Sequence, residues 1–102
     1  MTGSPRSKVW RHARILTEHV FDKLWLLDIT LAEFRALLDE SAEVIEEVET
    51  DEGHLKELVL YVHWSRPLHV VVVVDDAHAD ERLITVYEPS TERWSDDFRR
   101  RR

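Results

Sequence analysis

The sequence predicts an α+β fold: two N-terminal helices packed on one face of a four-stranded antiparallel sheet, a β-meander, followed by a short C-terminal segment. Three observations carry this reading. Apolar residues recur at three- and four-residue steps through the first third of the chain. From Leu58 to Tyr87 β-branched and aromatic residues take over. Turn-forming clusters then divide that second part into short segments.

Residues 1–8 are polar and turn-rich and read as a flexible N-terminus ahead of a single domain over residues 9–98. Val9, Trp10, Ala13, Leu16, Val20, Leu24 and Leu27 follow helical periodicity and predict a first helix over 9–27. The second helix has an explicit start, because Thr30 and Glu33 stand at the spacing of a capping box in which each side chain satisfies an orphan backbone N–H. Ile29 and Phe34 occupy the hydrophobic-staple positions, and Phe34, Leu37 and Leu38 make one apolar stripe. Residues 43–49 allow two readings: Ile45 and Val48 extend that stripe, whereas Val44, Glu46 and Val48 alternate as an edge strand does. A break near Ser41 favours the strand. Residues 58–64 and 68–74 then read as strands around a turn at Ser65-Arg66-Pro67, with 68–74 central. Residues 75–82 are too polar for burial and form a hairpin loop, and 83–87 is the last strand, closed by Pro89, which has no N–H for a ladder. Residues 99–102 form a basic tail, whose plain reading is a solubilising terminus.

Composition excludes several functions. The 102 residues fit one domain, and the absence of cysteine removes disulfides and thiol nucleophiles and suits a reducing compartment, so the expected location is cytoplasmic. The longest apolar run, 70–74, is far shorter than a membrane span, and Arg6, Lys8, Arg11 and Arg14 interrupt any signal-peptide pattern. No membrane partner is expected. The net charge is −7, and without its four terminal arginines the chain carries ten basic residues against 21 acidic, so long-range attraction to phosphate backbones is disfavoured. Gly3 and Gly53 are the only glycines, which leaves no phosphate-cradling loop and no nucleotide cofactor. Six histidines show no zinc-ligand spacing, so no metal is expected.

Strand alternation sorts side chains between the faces of the sheet. Leu58, Leu60, Val62 and Trp64 are expected under the helices with Leu68, Val70, Val72, Ile84 and Val86. Tyr61, His63, His69, Thr85 and Tyr87 then share the opposite face, with Arg66 at the adjacent turn. Imidazoles titrate near neutrality and phenols donate or orient, so this patch suits proton transfer; an ordinary wetter sheet face would also carry such residues. Val71 and Val73 point the same way and need partial cover, for which Trp94 and Phe98 are candidates.

The run Arg66-Pro67-Leu68-His69-Val70-Val71-Val72, then Ile84-Thr85-Val86-Tyr87-Glu88-Pro89 with Trp94 and Phe98 ahead of terminal arginines, resembles the domain of unknown function 4258 family. The family's N-terminal helix motif places its His on His19 and its first basic residue on Lys23, while Val20 replaces the usual Ala and Leu27 the usual Arg. The resemblance implies a RelE-like or MqsR-like toxin, a metal-independent endoribonuclease without cofactor, paired with a protein antitoxin such as a YgiT-type zinc-finger protein. It implies His19 and His69 as acid and base, Lys23 and Arg66 as positive charge and Tyr87 as an orienting group. His63, Tyr61, Thr85 and Arg93 would contact RNA. A neutral Leu27 cannot stabilise a phosphorane, so an inactive interaction module of the same fold is the alternative. A homodimer is left open.

Overall fold

A computed structural model describes residues 5–102. Its elements are β1 (Arg6–Ser7), β2 (Ala13–Leu16), α1 (Glu18–Leu27), α2 (Leu31–Leu38), β3 (Glu43–Glu49), β4 (Leu55–Tyr61), β5 (Leu68–Asp75) and β6 (Asp80–Tyr87). They build one six-stranded sheet in the order β1-β3-β4-β5-β6-β2, which corrects the expected four-stranded antiparallel sheet; the class remains α+β. The meander β3 to β6 is antiparallel throughout, but β2 lies parallel to β6, so the sheet is mixed.

The two added strands come from residues expected to be flexible or helical. Arg6 and Ser7 pair with Val44 and Glu43 at one edge, and residues 13–16 pair with 80–83 at the other. Between them the chain crosses one face of the sheet. Lys8, Glu57 and Glu81 are buried there, and Lys8 Nζ bridges the two carboxylates, at 2.8 Å from Glu57. Glu81 Oε2 also accepts the backbone N–H groups of Arg11 and His12 at 2.7 and 3.0 Å. A helix continuing through 9–27 would have to spend those N–H groups on itself. A buried carboxylate needs donors, and it takes them from the chain that crosses it.

α1 therefore starts only at Glu18, after Thr17, whose hydroxyl donates to the Leu83 carbonyl at 2.8 Å instead of capping the helix. It ends with Asp28 in the left-handed region at φ 58, where the Ile29 N–H reaches back to the Leu24 carbonyl at 3.0 Å. α2 has the full capping box: Glu33 N–H donates to Thr30 Oγ1 at 3.1 Å and Thr30 N–H to Glu33 Oε1 at 2.9 Å. β3 follows the break after Ser41; Val44 packs on the helix side and Ile45 on the other, and a bulge between Val44 and Glu46 keeps Glu46 on the same face as Ile45.

Two apolar clusters sandwich the sheet. On the helix side Val20, Leu24, Phe34 and Leu37 pack on Val59, Tyr61, Leu68, Val70 and Val86. On the other side Ile45, Leu58, Leu60 and Trp94 pack together with Val62, Val71 and Phe98 against them. The expected facing of β4 is thereby reversed. Register sets it: Val59 stands opposite Val70 and Tyr61 opposite Leu68, while Leu60 stands opposite His69. Both parities of β4 are apolar, so alternation within the strand separates two faces without saying which one meets the helices.

Candidate functional site

The face away from the helices collects the polar residues. His69 on β5 stands directly opposite Tyr87 on β6, so both point to this side, and Tyr87 Oη lies 3.0 Å from His69 Nδ1. The other ring nitrogen, Nε2, lies 2.9 Å from the Phe98 carbonyl. A carbonyl only accepts, so Nε2 carries the proton; Nδ1 is then the acceptor and the Tyr87 hydroxyl donates to it. Trp94 closes the cage edge-on, with ring centroids 4.4 Å apart, and His69 has no exposed surface. Burial holds its pKa down to about 4, against the weaker upward pull of the Phe98 carbonyl. His69 is thus a neutral positioning group for Tyr87, whose own pKa burial raises.

Thr85 precedes Tyr87 by two residues on β6 and faces the same way. Its Oγ1 lies 3.1 Å from Nε2 of His19, an exposed residue in the first turn of α1. Lys23 follows His19 by one helical turn on the same side of α1. His19, Thr85, Tyr87 and His69 therefore form a strip along β6, accessible at the His19 end and sealed at the His69 end. Beside Tyr87 runs a groove of about 450 Å³ lined by Glu46, Lys56, Leu58, Val71 and Arg101.

The seal is the C-terminal segment. Arg101 stacks over Trp94 with its guanidinium carbon 4.6 Å from the ring centroid and makes two bonds to Glu46, at 2.8 and 3.0 Å. Arg99 likewise pairs with Glu43. The arginine tail is a clamp on the acidic strand β3, and Arg101 and Glu46 belong to the site although no sequence motif marks them. Their one sequence signal is the match of an acidic run at 43–49 with a basic run at 99–102.

Other expected members lie elsewhere. Tyr61 is on the helix side, fully buried, donating from its hydroxyl to the Leu38 carbonyl at 3.1 Å, because register turns it inward. Arg66 donates to the Leu27 carbonyl at the end of α1, stands 3.7 Å from Glu88 and lies over Trp64. Its charge serves the negative pole of that helix rather than the His69 strip. His63 is exposed in the connection between β4 and β5, and Arg93 is exposed beyond the groove's lining. Among the described residues no group of three or more His, Asp or Glu could hold a metal ion. No helix among them is long and apolar enough to cross a membrane.

Helices on one face of a single mixed sheet, and a histidine–tyrosine strip under an arginine clamp on the other, define a small α+β domain with a groove over β3 and β4 that reaches Tyr87. The chain belongs to the DUF4258 family, described as a domain of unknown function, whose model matches residues 16–88. The matched span holds His19, Lys23, His69, Thr85 and Tyr87 and ends before Trp94 and the arginine tail. No curated protein and no solved structure matches the chain.

Proposed function

We propose that this domain is an endoribonuclease of the RelE-like or MqsR-like toxin type, acting in the cytoplasm by acid/base chemistry and held in check by a protein antitoxin. The observation that carries the reading is the strip in which His19 meets Thr85 at 3.1 Å and Tyr87 meets His69 at 3.0 Å. Cleavage of this kind needs a base for the ribose 2′-OH, an acid for the leaving 5′-oxygen and positive charge on the crowded phosphate. The 2′-oxygen attacks phosphorus, the bond to the 5′-oxygen breaks, and a cyclic phosphate and a free 5′-hydroxyl remain. His19, exposed beside Thr85, takes the 2′-OH proton and delivers it to the leaving 5′-oxygen. Tyr87, oriented by His69, hydrogen-bonds the phosphate, and Lys23 and Arg101 supply charge.

The test uses the full chain freed of any partner, with single-stranded RNA and EDTA. Cleavage should survive EDTA, and His19→Ala should lower its rate by about 10²–10⁴-fold, the usual contribution of one acid/base group. Uncut RNA across the neutral range, or full activity without the His19 imidazole, overturns the assignment.

A second reading, a non-catalytic interaction module, is favoured by one feature: carboxylates line the groove, and Glu46 already neutralises Arg101. Arg101→Ala separates the two. It should slow a nuclease and leave partner binding by an inactive module intact.

A further inference from the structure

At the edge of the sheet next to the His19 strip, β2 is the terminal strand, with β6 on its inner side and no neighbour on its outer side among the described residues. Its register against β6 sets Arg14 opposite Glu81 and Leu16 opposite Leu83, so Arg14 and Leu16 point to the helix side. There they line a groove of about 450 Å³ with Phe21, Arg35, Leu38 and Asp39. Arg14 Nη2 donates to Asp39 at 2.8 Å, but its Nη1 is buried and without a hydrogen-bond partner. Arg35 brings a second guanidinium to the same groove, and Phe21 is half exposed beside them. One aspartate faces two arginines, a local positive balance on a chain of net charge −7.

We infer that the outer edge of β2 takes up an extended acidic segment of a partner protein, adding it as a further strand with a carboxylate on Arg14 and Arg35. Edge addition gives backbone hydrogen bonds, and specificity comes from alternate side chains. A strand laid outside β2 sends every second side chain over the groove, where the exposed part of the Arg14 side chain and Arg35 together offer positive charge to a carboxylate. An apolar neighbour two residues away meets Phe21 and Leu16. A second copy of this chain pairing through its own β2 would set Arg14 against Arg14, so the charge selects a partner of opposite sign. The inference is independent of RNA cleavage.

The experiment selects a library of random dodecapeptides against the full chain and records the binding of the enriched pool by two-dimensional NMR. Enriched sequences should carry Asp or Glu at alternate positions and shift the amides of residues 13–16 and the guanidinium signals of Arg14 and Arg35. Arg35→Glu, a change at an exposed site, should weaken binding at least about tenfold, and Arg35→Ala by a smaller factor, with unchanged melting of the free protein. Enrichment of non-acidic peptides, no enrichment, or binding indifferent to both variants would overturn the inference. An oligouridylate octamer that shifts the same signals more strongly than the peptides would also overturn it, by making the groove a phosphate site.

Discussion

Acidification from about pH 7.5 to about pH 4.5 sets the unfolded and folded forms of His69 against each other. In the unfolded chain the imidazole takes a proton below its ordinary value of 6.5; in the folded chain burial between Tyr87, Trp94 and Phe98 defers that to about 4. A depressed folded value means that the contribution to stability is whole above 6.5 and is lost as the pH falls towards 4. At about 1.4 kcal/mol per pH unit the full window is worth about 3 kcal/mol, a large part of the roughly 5–15 kcal/mol that holds a domain of this kind together. Urea unfolding followed by tryptophan fluorescence at a series of pH values measures it. The chain holds five other histidines, so the informative quantity is the difference from His69→Gln, which removes the imidazole and should flatten the stability profile between pH 6.5 and about 4.5. Parallel profiles for the two proteins, or an NMR titration placing His69 near its ordinary value, would refute the burial argument and with it the positioning role of His69.

The remaining predictions concern the two devices that hold the sheet faces. Lys8→Met strands the buried carboxylates of Glu57 and Glu81 and should cost about 3–5 kcal/mol in urea unfolding. Adding Glu57→Gln and Glu81→Gln should restore much of that, whereas a loss below about 1 kcal/mol would assign the pair the worth of a surface ion pair. The low pKa of Glu81 also has a direction: burial alone would raise it, but the Lys8 ammonium and the Arg11 and His12 N–H groups lower it, so its contribution is present above 4.5 and lost in stronger acid. Trp94→Ala opens the cover on His69; it should cost about 3–5 kcal/mol and return the His69 titration towards its ordinary range, checked by repeating the NMR titration. An unmoved titration would mean that the cage excludes water without the indole.

Much of the candidate site is legible because it depends on alternation. His69, Thr85 and Tyr87 have the parity of one face, and the β5–β6 register then brings His69 and Tyr87 together. His19 reaches them only because α1 starts late and leans on β6, and that start is set by Glu81 drawing residues 11 and 12 out of helical geometry. Arg66 shows the opposite case: its place next to His69 in the chain suggests shared chemistry, yet a turn separates it from the strand and sends it to the end of α1.

What the amino-acid order determines by itself is local. The Thr30–Glu33 capping box, the apolar stripe of α2 and the β-branched runs of the meander act within a few residues, so their outcome follows from neighbours in sequence. Tertiary structure alone decides the rest: which face of β4 meets the helices, which segments cap the two sheet edges, and which carboxylates the arginine tail clamps. Each of these turns on pairings between residues dozens of positions apart, such as Lys8 with Glu81 and Arg99 with Glu43, and many such pairings are compatible with one pattern of polar and apolar residues. Close packing of both faces at once selects a register in which the buried carboxylates of Glu57 and Glu81 share Lys8 as their partner.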